Sequence, residues 1–174
     1  MAPPLRKAML TVHVAASVGW LGAVAASLAL AVAALTSRDV QVVRAAYLAM
    51  DVLGRTVLVP ISVASLLTGV VQSLGTVWGL ARHYWVLFKL VINVVATTVL
   101  LLYTQTLGLL ADLAGDPSAT LAQLRSPSPL VHAGAGLLLL IAATVLSVYK
   151  PRGITGYGAR SATATATLRS SAAS

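Results

Sequence analysis

Four long stretches without a charged side chain dominate the pattern of apolar and polar positions along this chain. They are residues 8–35, 56–81, 90–111 and 126–149. Each stretch is at least as long as the roughly 20 apolar residues that cross a bilayer core of about 30 Å. The pattern predicts an all-α membrane protein, an antiparallel bundle of four transmembrane helices.

The pattern becomes amphipathic between the first and second stretches. Arg44, Tyr47, Asp51 and Arg55 recur at helical spacing, with apolar residues between them. This predicts an extracytoplasmic amphipathic helix at the interface, or a soluble extension of the second helix. Asp51 and Arg55 are four residues apart and are expected to pair. Residues 36–39 are expected to form a turn with a hydroxyl N-cap.

Proline and glycine residues mark further boundaries. Pro60 should kink the second helix, because proline removes a backbone hydrogen bond. The third helix is expected to begin near His83, and the connection 115–129 should be the longest loop. The tail after residue 150 is rich in small and hydroxyl residues and is expected to be flexible. The predicted domains are therefore a transmembrane domain, 1–150, and a flexible basic cytoplasmic tail, 151–174.

Composition supports a bilayer as the solvent of this chain. Hydrophobic residues make up 58% of the 174 residues and charged residues only 9%, against about 25% charged in a soluble domain. The chain has no cysteine, which excludes disulfides, thiolate metal sites and cysteine nucleophiles.

The net charge of +8 predicts an orientation in the membrane rather than a nucleic-acid partner, because the cations flank the apolar stretches. With the N-terminus inside, eight Lys and Arg side chains lie on the inner side and four on the outer side. The prediction is a multi-pass protein of the plasma membrane with both termini cytoplasmic. Its expected partners are the lipid bilayer and other membrane subunits, in a homo- or hetero-oligomer.

Polar residues on all four helices are expected to meet in one layer of the inner leaflet. A rise of 1.5 Å per residue puts His13 and Lys89 at the same depth. Asn93 follows Lys89 by one turn on the same helix face, and Gln72 and Thr76 lie at similar depth on the second helix. Because lipid-facing polar groups are costly, these side chains should point into the bundle.

Two interpretations of this layer remain open. As a site, His13 would ligate a metal or haem iron or carry a proton, and Lys89 would pair with a propionate, carboxylate or phosphate. As packing, Lys89 would extend to the headgroups and His13 would bond a neighbouring carbonyl. Trp20, near the middle of the first helix, would either pack in the core or line a planar cofactor.

Three stretches carry a resemblance to a known family: residues 11–22 (TVHVAASVGWLG), 78–89 (WGLARHYWVLFK) and 148–158 (VYKPRGITGYG). Together they resemble a family of small four-helix actinobacterial integral membrane proteins of unknown function. The first helix is also remotely similar to copper-resistance-type membrane proteins and to haem-binding membrane proteins that oxidise protoporphyrinogen. The last resemblance implies roles for a first-helix histidine, His13 here, and for a later lysine, Lys89 here.

Three functions are consistent with the sequence. The favoured one is a non-enzymatic membrane subunit or a protein that binds a small ligand or lipid. The second is a b-type haem- or quinone-associated redox protein with its site in the inner leaflet, so haem b is the candidate cofactor. The third is an enzyme that acts on a lipophilic substrate through His13, Lys89 and Asn93.

Overall fold

The computed structural model describes residues 2–75, 83–149, 153, 155 and 156, and the regular structure of this part of the chain is helical. Four helical segments are long and apolar enough to cross a membrane. The α-helices are α1 (Pro3–Thr36), α2 (Val40–Leu53), α3 (Val59–Leu74), α4 (Tyr84–Gly115), α5 (Leu121–Leu124) and α6 (Ser128–Tyr149). Thr76 lies outside the described residues, and so does the predicted tail, 151–174, apart from residues 153, 155 and 156.

Helix α1 begins earlier than its uncharged stretch, because Pro3 and Pro4 occupy the first turn, where a missing N–H costs nothing. The predicted start of α2 needs a correction. The carboxylate of Asp39 is the N-cap and accepts a hydrogen bond from the backbone N–H of Gln41 at 2.8 Å. The hydroxyl of Ser37 instead accepts a bond from the N–H of Asp39.

The amphipathic segment is continuous with the second long helix. A π-helical turn, Gly54–Leu58, joins α2 to α3, so Val40–Leu74 is one helical segment of 35 residues. The turn ends two residues before Pro60, which has no N–H to give to the carbonyl of Thr56. The wider π-helical turn therefore accommodates the loss of the backbone hydrogen bond that the proline cannot make. The predicted pair forms, with Arg55 Nε 2.8 Å from Asp51 Oδ1.

Helices α1 and α4 each pack against the other long helices but not against each other within the described residues. Helix α1 contacts α2, α3 and α6, and α4 contacts the same three. The interior therefore lies between α1 and α4, with α2 and α3 on one side and α6 on the other. This arrangement leaves a space between α1 and α4 that no helix backbone occupies in the described part of the chain.

The end of the molecule formed by α2, α5 and the adjoining helix ends is densely packed; we call it the loop end. Val43, Tyr47, Met50 and Leu124 are at most 2% exposed there. The Tyr47 hydroxyl donates to the carbonyl of Leu124 at 2.7 Å. The oxygen of this hydroxyl also accepts a hydrogen bond from the backbone N–H of Ser126. One buried tyrosine thus holds α5 and the start of α6 against α2.

Arg44 ties the same end together. Its guanidinium donates to four backbone carbonyls at the end of α4 and in the loop after it, at 2.6–3.3 Å: those of Ala114, Asp116, Pro117 and Ala119. Carbonyls at a helix C-terminus lack partners within the helix and attract positive charge. Arg44 therefore caps α4 from a neighbouring helix.

Candidate ligand-binding pocket

A polar pocket of about 100 Å³ lies near the opposite end of the molecule, which we call the pocket end. Helix α1 contributes His13, α3 contributes Ser65, Gly69, Gln72 and Ser73, and α4 contributes Trp85, Lys89 and Asn93. The remaining lining is apolar. The structure thus brings together four of the residues singled out from the sequence, from three separate helices: His13, Gln72, Lys89 and Asn93.

His13 forms a hydrogen bond with its neighbour Thr68. Nδ1 of His13 lies 3.1 Å from the Thr68 hydroxyl oxygen, and this hydroxyl also donates to the carbonyl of Ala64 at 2.6 Å. Nδ1 is therefore engaged with α3. A bound group can meet this histidine through Nε2.

Gly69 makes room for the histidine ring. A Cβ at position 69 would lie 3.0 Å from Cε1 of His13, closer than ordinary van der Waals contact. A side chain at this position would require the ring to shift by a few tenths of an ångström. The glycine therefore leaves room for the first-helix histidine beside the polar face of α3.

Lys89 and Asn93 form the cationic wall of the pocket on α4. The ammonium of Lys89 lies 5.8 Å from the centre of the Trp85 ring, within the range of a cation–π contact. The Asn93 amide donates to the carbonyl of Lys89 at 2.8 Å. Lys89 is half-buried and lines the pocket with His13.

Two buried polar side-chain atoms have no hydrogen-bond partner in the part of the chain that the structure describes. They are Oε1 of Gln72, in the pocket, and Oγ1 of Thr97, two turns beyond Lys89 on α4. A buried polar group without a partner costs about 1–3 kcal/mol. The Gln72 amide is therefore ready to bind a polar ligand group.

A smaller space of about 50 Å³ adjoins the polar pocket and extends it towards α6. Both are lined by His13, Ser65, Lys89 and Asn93. Its further lining includes Ser17, Thr144, Ser147 and Trp20. The hydroxyls of Ser17 and Ser65 are 3.0 Å apart and bond to each other. All four long helices therefore contribute polar groups to this region, as the sequence predicts.

Trp20 separates this polar region from a second cavity. It is 2% exposed and lines both the adjoining space and an apolar cavity of about 130 Å³, which we call the outer cavity. Packing in the core, one of its two predicted roles, is what the structure shows. The outer cavity was not predicted, because its lining is mostly apolar and helical periodicity does not distinguish a cavity from a filled core.

Trp85 and Thr68 also escaped the sequence analysis. Trp85 lies in the stretch 78–89 that carries the family resemblance, and it lines the pocket. Thr68 follows Ser65 by three residues, so its spacing was an available signal. Their roles depend on which neighbouring helix each faces, and that information is not in the spacing.

The polar pocket does not fit a haem as it stands. Its volume of about 100 Å³ corresponds to about three waters, at roughly 30 Å³ each, far less than a porphyrin. His13 is the only histidine in its described lining. Among the described residues, no group of three or more His, Cys, Asp or Glu side chains is placed to hold a metal ion. The metal role of His13 stays a prediction.

No protein-family model, no curated protein and no solved structure matches this chain.

Proposed function

We propose that this chain is an integral membrane protein that binds the acidic headgroup of a small amphiphile in its polar pocket. The observation that carries the proposal is the convergence of Lys89, His13, Gln72 and Asn93 on one pocket inside an otherwise apolar assembly of helices. A phosphate or carboxylate pairs with an ammonium and accepts hydrogen bonds from amides and hydroxyls. The ligand's hydroxyl or acid proton would satisfy the Gln72 oxygen.

The size of the pocket favours a headgroup over a whole ligand. Pockets that enclose a drug-sized molecule measure about 300–1,000 Å³, whereas this one measures about 100 Å³. A phosphate or carboxylate group fits that space, and the apolar part of the ligand would extend from it among the lipid chains. Non-enzymatic binding of a lipid or small ligand, the function favoured by the sequence, is therefore our proposal.

The direct test is stabilisation of the detergent-purified protein by short-chain lipids. We expect dihexanoyl phosphatidic acid to raise the melting temperature by about 5–10 °C at a hundredfold excess over its Kd. Dihexanoyl phosphatidylcholine should give little shift. Inorganic phosphate alone separates binding of a free anion from binding of a lipid, and it should bind much more weakly.

Lys89→Met is the decisive variant, because it keeps the length and apolar stem of the side chain and removes the charge. It should abolish the shift caused by phosphatidic acid while leaving the protein folded. Arg38→Met is the matched control, since Arg38 is an exposed cation at the far end of α1. Equal stabilisation of the wild-type protein and Lys89→Met would refute a headgroup site at this lysine.

The proposal includes a membrane orientation and helix arrangement. We propose an antiparallel transmembrane bundle in the plasma membrane with both termini cytoplasmic, supported by four segments long and apolar enough to span and by the inner excess of cations. Reporter fusions at Arg38, Arg82, Pro117 and Ser174 should report outside, inside, outside and inside. A periplasmic signal at Ser174 would contradict this orientation.

A further inference from the structure

The outer cavity is almost entirely apolar and sits on the loop-end side of Trp20. Helix α1 lines it with Trp20, Val24 and Ser27; α2 and the π-helical turn add Met50 and Leu58; α4 and α6 form the rest. Its volume of about 130 Å³ is close to that of an engineered apolar cavity of about 150 Å³ that stays dry and binds benzene. A single aromatic ring is therefore the group that it can hold.

The mouth of the outer cavity lies between α4 and α6. The lining residues on α1, α2 and the π-helical turn are all buried. The exposed ones are Val99 on α4 and His132, Ala135 and Leu139 on α6. A ligand therefore reaches the cavity from the side of the helices, where lipid chains would lie in a membrane.

One wall of the mouth is rigid. The His132 ring stacks on the Tyr103 ring with centroids 3.8 Å apart and planes 14° apart. Nδ1 of His132 donates to the carbonyl of Ser128 at 2.9 Å, and the hydroxyls of Tyr103 and Ser128 bond at 3.0 Å. Two helices are thus pinned together beside the opening, which keeps the cavity from collapsing at this point.

Ser27 contributes a hydroxyl to the wall of the cavity. It is 9% exposed, lines the cavity, and makes no hydrogen bond to any described residue. Its position on α1 places it on the wall away from the mouth. A ligand that offers a hydroxyl at its inner end would satisfy this group, and a purely apolar ligand would not.

We propose that the outer cavity binds a neutral lipophilic phenol, with the ring beside Trp20, the hydroxyl bonded to Ser27 and the alkyl tail leaving between α4 and α6. The volume of the cavity matches a single aromatic ring, and its apolar lining favours a ring without charge. The Ser27 hydroxyl can form a hydrogen bond with the hydroxyl of the phenol. This site is separate from the headgroup pocket, so either can fail without the other.

The test uses a variant in which Trp20 is the only tryptophan, made by Trp78→Phe and Trp85→Phe, so that its fluorescence reports on the cavity. The probes are para-propylphenol and its methyl ether, para-propylanisole, titrated in detergent. The phenol should bind about 3- to 10-fold more tightly than the ether, the effect of one hydrogen bond. Ser27→Ala should remove this difference, whereas Thr56→Ala, which deletes an exposed hydroxyl elsewhere, should keep it.

A cavity-filling variant tests the location of the site. A Cβ at Gly136 would meet only Val24, at 3.8 Å, so Gly136→Leu should project into the cavity and weaken binding of both probes about 10-fold or more. If this variant fails to fold, the Ser27→Ala comparison decides. Equal affinity for phenol and ether, as expected where a lipid chain fills the cavity, would overturn the proposal. A difference that survives Ser27→Ala would also overturn it.

Discussion

The loop end and the pocket end of this molecule are built from the same long helices but differ in how their polar groups are satisfied. At the loop end, the described polar side chains in the interior bond to backbone carbonyls, as Arg44 and Tyr47 do. At the pocket end, Gln72 has a buried oxygen without a described partner, and Thr97, further along α4, has another. The larger cluster of buried apolar residues also lies at the loop end.

This difference indicates that packing stability and headgroup binding are located at opposite ends. A satisfied and closely packed end contributes to the free energy of unfolding and has, among its described residues, no cluster of polar side chains with which to bind an acidic headgroup. Unpartnered polar atoms and empty volume lower the stability of the folded protein. A ligand that fills the pocket raises this stability, because it binds only the folded state. Substitutions at the two ends should therefore have opposite effects on stability and binding.

The largest expected effect is at Tyr47. Tyr47→Ala should lower the free energy of unfolding by about 3–5 kcal/mol, because it leaves a cavity at a position that is fully buried. Tyr47→Phe keeps the ring and should cost about 1–3 kcal/mol for the unpaired carbonyl of Leu124. Reversible unfolding in mixed micelles measures both. A loss from Tyr47→Ala no larger than that from Lys89→Met would break the comparison.

Arg44→Met should come next, with a loss of about 2–3 kcal/mol from the hydrogen bonds of one charged group to the carbonyls after α4. Arg44→Lys should recover only part of this, because an ammonium does not reproduce the planar guanidinium fork. Binding of phosphatidic acid below the melting temperature should be unchanged in both variants. A loss of binding in either would show that the two ends are coupled.

Thr97→Val should change the free energy of unfolding in the opposite direction. The substitution preserves shape and removes a hydroxyl that is buried without a partner in the described structure, so the protein should become more stable by about 1 kcal/mol. Ser62→Ala is the matched control, since this fully buried hydroxyl does donate to the carbonyl of Val59 at 2.9 Å. Stabilisation by Ser62→Ala and not by Thr97→Val would reverse the argument.

The smallest expected effect is a titration at the loop end. Hydrogen bonds from the hydroxyl and backbone N–H of Ser118 hold the pKa of Asp116 below its ordinary value. The charged form is therefore favoured by folding, and this contribution is present above the ordinary carboxyl pKa and lost as the pH falls through the lowered value. Ser118→Ala should raise the pKa of Asp116, measured by NMR titration, and Ser126→Ala should leave it unchanged.

Much of the helical layout follows from the chain alone. The number and apolar character of the long helical segments follow from the uncharged stretches, since backbone groups in an apolar surrounding must bond within their own helix. Their lengths do not, because each segment extends beyond its uncharged stretch. The common depth of His13 and Lys89 also follows, because helix rise is constant. The pairing of Asp51 with Arg55 follows from local spacing in the same way.

The tertiary structure decided everything that depends on which helix faces which. The pattern gave Arg44 and Tyr47 as parts of an amphipathic surface, and only packing against α4 and α5 made them the ties of the loop end. The N-cap of α2 is Asp39 and not the predicted hydroxyl residue, because the position of a cap depends on the backbone geometry of a single residue. The outer cavity arises where four apolar faces fail to fill the space between α1 and α4. Sequence periodicity assigns a side chain to a face of its own helix, whereas a pocket is a property of several faces at once.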